Sequence, residues 1–435
     1  MPPLPTLSEV ERSFGMLYYS TSGKGIGGRV RVQPEDFVVE EITPEGHIVN
    51  DSLKVLSRGR GPYTLAVLKK SSRDLLLTVS LLQKRLSAKI SFAGIKDRRA
   101  VTYQLISLDR PLPEPIKMKN LELWAVGTSI WEVRPGELRG NRFTITIRSI
   151  NGEDLRPDPL SDLTWLPGYF GHQRFGTTRL NTHKVGRHLV TGDLQGAVRE
   201  FLAEPYDSEP ADVLSFRQTL KRTWDLKSAL SSLPPDLFYE GAVIRALLSG
   251  SDYHRSLRAL PQRLLRLFVD AYQSYLFNLA LSERWSNWGL TDLESGDTVS
   301  ILDRSMNPSR PLKVTQSNLE KLRRLVESRR AVLLMPVPGS NLRVEGINQE
   351  IYSRIFDRER ISPDDFSDVM GLEFRGAMRP AVFYPLDLQT LGASEDDLHP
   401  GKIKITIKFT LPRGFYATVL LREIMKPKDP KSAGF

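Results

Sequence analysis

The segment that decides the fold reads SFAGIKDRRAVTYQ and occupies residues 91–104. Apolar and alternating residues flank its centre, which predicts a tight loop between two β-strands, with Gly94 permitting a sharp backbone turn. In that loop Asp97 has three cationic neighbours in sequence: Lys96, Arg98 and Arg99. Nearby positive charge favours an ionised carboxylate, and an anionic aspartate suits a nucleophile. The residues alone leave two interpretations open, a charged surface hairpin held by ion pairs or a catalytic loop.

Length and composition limit the class of protein. A chain of 435 residues exceeds the usual size of a single core, so we expect two domains. It carries 61 Lys and Arg against 51 Asp and Glu, and the excess of +10 points to a polyanionic partner. Nucleic acid is the first expectation and an acidic membrane surface the second. The absence of cysteine from the sequence excludes disulfides, thiolate zinc sites, iron–sulfur clusters and a cysteine nucleophile.

Nothing in the sequence indicates a membrane span, a signal peptide or a metal site. No apolar run is long enough to cross a bilayer, and the segment Met1–Val10 lacks the apolar core of a signal peptide. The 6 histidines are scattered, and the spacing of His183 and His188 does not place them on one helical face. We therefore expect a soluble, cytoplasmic protein that binds no metal.

The first 150 residues read mainly as strands, with one helix predicted over 74–86 by its apolar face. The strand candidates are Arg29–Val32, Phe37–Ile42, Tyr63–Leu68, Lys89–Phe92, Val101–Leu108, Leu121–Val126 and Asn141–Arg148. A helical pattern begins near residue 166 after a stretch rich in helix breakers, and includes an amphipathic segment over 262–285.

Strand character returns at the end of the chain, where apolar residues alternate over 402–411, and a closing helix is predicted over 416–425. Strands at both ends of the chain with a helical middle suggest a domain inserted into another. The predicted fold class is α+β, with one mixed, mainly antiparallel sheet built from both chain ends and an inserted, largely helical domain.

Three short segments combine residue types that suit a pocket for an RNA base. Phe37 enters a strand and either stacks on a base or belongs to the core. Asn141 stands at a strand start, where its amide either reads a base edge or caps a turn. In LPRGFYAT, at 411–418, an aromatic residue follows a Pro-Gly turn, and aromatic stacking is a usual way to hold unpaired RNA.

Two further patterns in the sequence bear on phosphate binding. The segment GKGIGG at 23–28 lacks the spacing of a phosphate-binding loop and has no strand before it or helix after it, so we expect a turn. Four arginines at or before the start of the long amphipathic helix form either a phosphate-binding face or a solvated one: Arg255, Arg258, Arg263 and Arg266.

Together these segments resemble the TruD family of tRNA pseudouridine synthases, nearly from end to end. The family's landmarks occur in family order, and the pattern GxKDxxAVTxQ is highly specific by itself. They are PEDF (34–37), GIKDRRAVTYQ (94–104), GNRF (140–143), YFGHQRFG (169–176) and LPRGFYAT (411–418) followed by LRE (421–423). The long middle region is more similar to archaeal and eukaryotic forms than to bacterial ones.

The resemblance implies an isomerase that converts uridine to pseudouridine in tRNA, at position 13, with neither cofactor nor metal. It implies a catalytic pseudouridine synthase domain over 1–165 and 384–435, and an inserted α/β TRUD domain over 166–383. The implied partner is tRNA, and we expect a monomer.

The resemblance also assigns roles to single residues. The nucleophile position falls on Asp97, and Arg31 matches a basic residue that pairs with the nucleophile. Phe37 and Asn141 match positions of the base pocket. Tyr416 matches the position that stacks on the target base, where bacterial members tend to carry Phe.

The reaction requires the base to leave the helical stack and to be held while it is detached. Whether the aspartate attacks C1′ or C6, or acts through a glycal, is not decided by the sequence. Two other classes of function are alternatives to the enzyme. One is a non-catalytic RNA-binding or RNA-chaperone protein on the same scaffold, and the other is an enzyme that binds a phosphate cofactor through GKGIGG.

Overall fold

The structure is a computed structural model that describes residues 3–155, 158–176 and 178–435. Its strands, in chain order, are β1 (Leu4–Pro5), β2 (Tyr18–Tyr19), β3 (Phe37–Ile42), β4 (Tyr63–Ser71), β5 (Ile90–Phe92), β6 (Val101–Leu108), β7 (Ile116–Met118), β8 (Leu121–Ser129), β9 (Gly140–Ile150), β10 (Leu166–Pro167), β11 (Thr298–Leu302), β12 (Pro308–Lys313), β13 (Ala331–Val337), β14 (Ala377–Pro380), β15 (Val382–Phe383), β16 (Leu386–Glu395) and β17 (Ile403–Pro412). The α-helices are α1 (Glu9–Ser13), α2 (Leu75–Leu86), α3 (Thr182–Val190), α4 (Leu194–Ala203), α5 (Ala211–Thr223), α6 (Leu226–Ser231), α7 (Phe238–Leu248), α8 (Tyr253–Leu257), α9 (Gln262–Trp288), α10 (Leu319–Glu327), α11 (Gly346–Glu359) and α12 (Ala417–Met425).

The chain divides into two compact units. The sheet unit consists of Ser20–Leu166, Leu302–Ser309 and Phe383–Phe435. The helical unit consists of the chain up to Tyr19 together with Pro167–Ile301 and Arg310–Val382. This division differs from the predicted boundaries in the first residues of the chain and in the short segment that begins at Leu302. That the sheet unit is a catalytic domain, and the helical unit a TRUD domain, remains a prediction.

The sheet unit contains a single large sheet of nine strands. Their order is β16-β17-β9-β3-β6-β4-β8-β7, and β5 also pairs with β6. Strands β3 and β6 pair in parallel, whereas the other described pairings of this sheet are antiparallel. Because β16 and β17 come from the end of the chain and the rest come from its first 150 residues, the predicted fold class is confirmed.

The centre of the sheet follows the alternation seen in the sequence. Phe143 of β9 lies opposite Phe409 of β17, and Ile145 lies opposite Ile407. The two phenylalanine rings stack with centroids 5.2 Å apart. All four side chains are buried, so alternate residues of both strands form one apolar face.

Helix α2 shows why the helix prediction at 74–86 was accurate. Asp74 is its N-cap, and the carboxylate accepts a hydrogen bond from the backbone N–H of Leu77 at 3.0 Å. Leu75, Val79 and Leu82 are buried on one face, where they pack with strands β4, β5 and β6. The helix therefore begins one residue later than predicted, because its first residue is the cap.

The strand predicted over Arg29–Val32 does not form. Only Arg29 of this segment makes a β-bridge, to Arg148. The run of extended backbone is broken at Arg31, which has a positive φ of 56°. A non-glycine residue in that left-handed region is uncommon, and such residues concentrate at functional sites.

The helical unit contains helices α3 to α11 and a four-stranded sheet with the order β12-β11-β13-β14. Helix α9 has 27 residues, 14 of them buried, so it forms the core of this unit. Among the described residues, no helix combines the length and the apolar character that crossing a bilayer requires.

Candidate active site

Asp97 lies in the loop that joins β5 to β6, as the sequence predicted. Its side chain is 21% exposed, so the carboxylate is mostly withdrawn from solvent without being sealed off. The reason given for Gly94 was wrong, because its φ is not in the left-handed region and an added Cβ would meet no atom within 4 Å. The loop therefore bends here without using the conformational freedom of glycine.

The cation that holds the Asp97 carboxylate comes from outside the loop. Arg31 Nη2 donates to Asp97 Oδ2 at 3.1 Å, and Arg31 Nη1 donates to the carbonyl of Gly434 at 2.8 Å. The Arg31 side chain is only 5% exposed. Burial lowers the pKa of Arg31 and the charge of Asp97 opposes that effect, and a guanidinium remains protonated in proteins. The predicted pairing of Arg31 and Asp97 is present in the structure.

Phe37 lies under Arg31. Its side chain is fully buried, and the guanidinium carbon of Arg31 sits 3.9 Å from the ring centroid. The ring also makes an edge contact with Phe143, at 6.2 Å between centroids. A ring covered by a guanidinium on one face and by core residues elsewhere has no free face for a base. The structure therefore supports a cation–π contact that positions Arg31, in place of the predicted stacking on uracil.

Two lysines extend this charged cluster. Lys96, one residue before Asp97, forms a buried ion pair with Glu41 at 2.7 Å. Lys70 at the end of β4 is fully buried and donates from Nζ to the backbone carbonyl of Asp97 at 2.7 Å. Burial lowers the pKa of Lys70 to about 8, while Asp97 and Asp74 act to raise it and Lys96 to lower it further.

The other two cations of the loop are exposed. Arg99 donates from Nη2 to the backbone carbonyl of Arg31 at 3.2 Å, so it supports the left-handed residue from its main chain. Arg31 and Lys70, from outside the loop, thus join the cations that are adjacent to Asp97 in sequence. The structure uses Arg31 for the carboxylate, Lys70 for the main-chain carbonyl and Arg99 for the backbone of Arg31.

Asn141 is the second residue of β9 and lies between Glu41 of β3 and Leu411 of β17. Residues directly opposite each other in a sheet share a face, so Asn141 lies on the same face as Glu41. Glu41 is the partner of Lys96, the residue before Asp97. The side-chain oxygen of Asn141 is buried and has no hydrogen-bond partner among the described residues. A buried acceptor without a donor is costly, which fits a position that a ligand completes.

The sequence reasoning missed two further polar residues near this face. Thr102 and Gln104 of β6 are fully buried. The Thr102 hydroxyl and both amide atoms of Gln104 have no hydrogen-bond partner among the described residues. Thr102 lies directly opposite Lys70 in the sheet. Their spacing in the strand that follows Asp97 was the available signal, since alternate residues of a strand point to one face.

Tyr416 is the N-cap residue of α12 and is half-buried. The preceding Phe415 stacks on Phe383 with ring centroids 4.1 Å apart, which anchors the turn before the helix. Pro412 at the end of β17 lies opposite Gly140, the residue before Asn141. The segments that carry Asn141 and Tyr416 therefore leave the sheet at the same end. Arg31 contacts both Phe37 and Asp97 directly. Asn141 and Tyr416 are placed at the same end of the sheet by the register of β9 and β17.

The glycine-rich segment 23–28 packs against protein backbone. A Cβ on Gly25 would lie 2.4 Å from the carbonyl oxygen of Met425, and one on Gly28 would lie 2.7 Å from that of Arg148. Lys426, at the end of α12, donates to the carbonyl of Thr21 at 2.7 Å. These close approaches explain Gly25 and Gly28 without any phosphate.

Comparison with known proteins identifies the family. The family model described as tRNA pseudouridine synthase D (TruD) matches residues 13–424. This chain belongs to the TruD family. A protein of Methanosarcina acetivorans named "Probable tRNA pseudouridine synthase D" is 35% identical, over 96% of this chain and 97% of its own length. One of the same name from Pyrobaculum islandicum is 33% identical, over 98% of each chain.

A solved structure agrees with the family model and with the similar sequences. The crystal structure of a TruD protein from Methanosarcina mazei is 34% identical and superposes with a TM-score of 0.78, covering 97% of this chain and 99% of that one. The resemblance predicted from the sequence motifs, and the fold class predicted with it, are thus confirmed. The five predicted site residues all lie in the sheet unit of this fold.

Proposed function

We propose that this protein is a tRNA pseudouridine synthase that isomerises uridine to pseudouridine, with position 13 of tRNA as the expected target. The observation that carries the proposal is the Asp97 carboxylate, paired at 3.1 Å with the buried Arg31 in a chain of the TruD family. The pair is built at some cost, because Arg31 adopts a left-handed backbone conformation. Structure that maintains a costly arrangement around one carboxylate favours a chemical role for it.

The isomerisation breaks the C1′–N1 bond, turns the uracil and joins C5 to C1′. A proton leaves C5 and N1 ends protonated, so no group is gained or lost overall. Asp97 acts as the nucleophile in this proposal, and Arg31 orients its carboxylate through the ion pair. The lysine contact to the Asp97 carbonyl fixes the loop while the base changes its attachment.

The detached uracil needs a pocket that recognises it. We assign to Asn141 the recognition of its polar edge, because the unpartnered side-chain oxygen matches the N3–H donor of uracil. Tyr416 supplies an aromatic face for stacking, which is worth roughly 1–3 kcal/mol per base. The target nucleotide is everted from the RNA stack to reach these groups.

The decisive experiment measures tritium release from tRNA labelled at C5 of uridine, since that proton is lost in the reaction. Asp97→Asn keeps the size of the side chain and is expected to abolish release, with only a modest change in RNA affinity. Asp51→Asn is the matched control, because Asp51 pairs with Lys69 at 3.2 Å and is 62% exposed. Retained turnover in Asp97→Asn refutes the assignment.

Two further results would redirect the proposal. If the unaltered protein binds tRNA but releases no tritium, the alternative of a non-catalytic RNA-binding or RNA-chaperone protein replaces the enzyme. If pseudouridine mapping in cells with and without the gene changes sites other than position 13, the activity stands and the target uridine is corrected.

A further inference from the structure

A cationic cavity lies in the sheet unit where β9 begins and β17 ends. Its volume is about 550 Å³, and its polar lining includes Arg139, Arg304, Arg413, Asp303 and Asn307. An adjoining cavity of about 460 Å³ shares Arg139, Arg304 and Ser305 with it. The two cavities, which share this part of their lining, are together called the recess.

One buried side chain holds the walls of this cavity together. Asn307 Nδ2 donates to the carbonyl of Arg139 at 2.9 Å, and Asn307 Oδ1 accepts from the backbone N–H of Arg413 at 3.2 Å. The turn that presents Asn307 is closed by Asp303, whose carboxylate accepts from the N–H groups of Ser305 at 2.7 Å and Asn307 at 3.0 Å. The recess is therefore a built site with a fixed shape.

The positive charge of the recess is not neutralised. Among the described residues, no carboxylate lies within 4 Å of a guanidinium nitrogen of its three arginines: Arg139, Arg304 and Arg413. The two carboxylates that line the cavity of about 550 Å³ are already occupied. Asp303 caps its own turn, and Glu137 pairs with Arg58 at 2.7 Å and accepts from the N–H of Arg134 at 2.9 Å. The three arginines therefore have no carboxylate partner in the described part of the chain, whereas the carboxylates of Asp303 and Glu137 already accept from other groups.

We propose that this recess binds RNA backbone phosphates that flank the target nucleotide. The inference rests on the proposed function and deepens it. Arg139 stands two residues before Asn141, and Arg413 stands three residues before Tyr416. The two chain segments assigned to the base thus also carry two of the three arginines of the recess, and Arg304 comes from the segment Leu302–Ser309. The guanidinium fork matches phosphate geometry, and backbone contacts supply most of the affinity for RNA while carrying no sequence information.

The test measures the affinity of Arg304→Gln and Arg413→Gln for an unmodified tRNA transcript at several salt concentrations. Each lost phosphate contact is expected to lower the slope of log affinity against log salt by about 0.7 to 0.9, and to weaken binding several-fold at low salt. Arg85→Gln is the matched control, because Arg85 is an exposed arginine of α2 on the same unit. Thermal melts exclude loss of folding.

Tritium release from the same variants completes the test. The proposal predicts a raised KM for tRNA and an unchanged kcat at saturating tRNA. A salt slope and affinity equal to those of Arg85→Gln overturn it, and so does a loss of kcat with unchanged affinity. The unaltered protein is assayed in parallel, because a lack of tritium release from it would reject the proposed activity while the salt dependence still reports on the recess.

Discussion

Lys70 offers the sharpest test of how the site is built, because it contacts the loop of Asp97, the proposed nucleophile, and is not among the residues proposed to bind the base. Its ammonium is fully buried and donates to the carbonyl of Asp97 at 2.7 Å. The substitution Lys70→Met keeps an unbranched side chain that is one atom shorter, and it removes the charge and the hydrogen bond.

The magnitude follows from the pKa. Burial lowers the pKa of Lys70 from 10.5 to about 8, which corresponds to about 3 kcal/mol of folding free energy lost by keeping the charge inside. Between pH 8 and pH 10.5, Lys70 is protonated in the unfolded chain and largely deprotonated in the folded one, so the unfolded chain binds more protons. Stability therefore rises with pH across this window, and the cost is fully present below pH 8.

Lys70→Met removes this cost and leaves the Asp97 carbonyl without its donor, a loss of roughly 1–3 kcal/mol. The two effects nearly cancel, so we expect the stability at neutral pH to change by less than about 2 kcal/mol. Turnover is expected to fall about ten-fold or more, because a loop misplaced by a fraction of an ångström loses its alignment.

The assay is urea unfolding of both proteins from pH 7 to pH 10.5, together with tritium release at neutral pH. The difference in stability between the unaltered protein and the variant should shift by up to about 3 kcal/mol in favour of the unaltered protein as pH rises. Parallel stability curves would show that Lys70 is not desolvated in the folded state. Full activity of the variant would show that the contact does not position the loop.

Three further predictions test the surroundings of the site. Arg31→Lys cannot reach both of its acceptors, so tritium release should fall by about ten- to a hundred-fold, and unchanged release would contradict the pairing. Phe37→Leu should cost about 1–2 kcal/mol of stability. It should also lower turnover more than the control Phe143→Leu, because only Phe37 lies under the guanidinium of Arg31. Equal turnover in the two variants would argue against the cation–π support. Gly25→Ala should destabilise the fold by about 1–3 kcal/mol because its Cβ would meet a carbonyl oxygen at 2.4 Å, whereas Gly392→Ala, with no atom within 4 Å, should leave the melting temperature nearly unchanged.

The sheet could be predicted from the sequence because its strands carry a local signal. The alternation over 402–411 and over Asn141–Arg148 appears in the structure as β17 and β9, with buried residues on one face. Helix α2 was equally accessible, because an acidic cap precedes an apolar face of helical spacing. Such patterns lie within a dozen residues and need no knowledge of the tertiary structure.

The site was only partly predictable, because its contacts join distant parts of the chain. Asp97 is marked by its motif, whereas Arg31 has no periodic signal and was identified through family resemblance. Lys70 and Glu41 were missed, since each reads as an ordinary strand residue until the strands are paired. Phe37 was identified as a site residue with a different role, because exposure of a ring cannot be read from its position at a strand start.

The bond between Arg31 and the carbonyl of Gly434 spans 403 residues of sequence. The backbone N–H of Val30 donates to the carbonyl of Ala433 at 2.8 Å, so residues 433 and 434 hold the backbone beside Arg31. During synthesis on the ribosome, the cationic partner of Asp97 has no fixed position until these residues have left the exit tunnel. We expect a nascent chain to lack a fixed Arg31–Asp97 pair until residues 433 and 434 have emerged and docked beside Arg31.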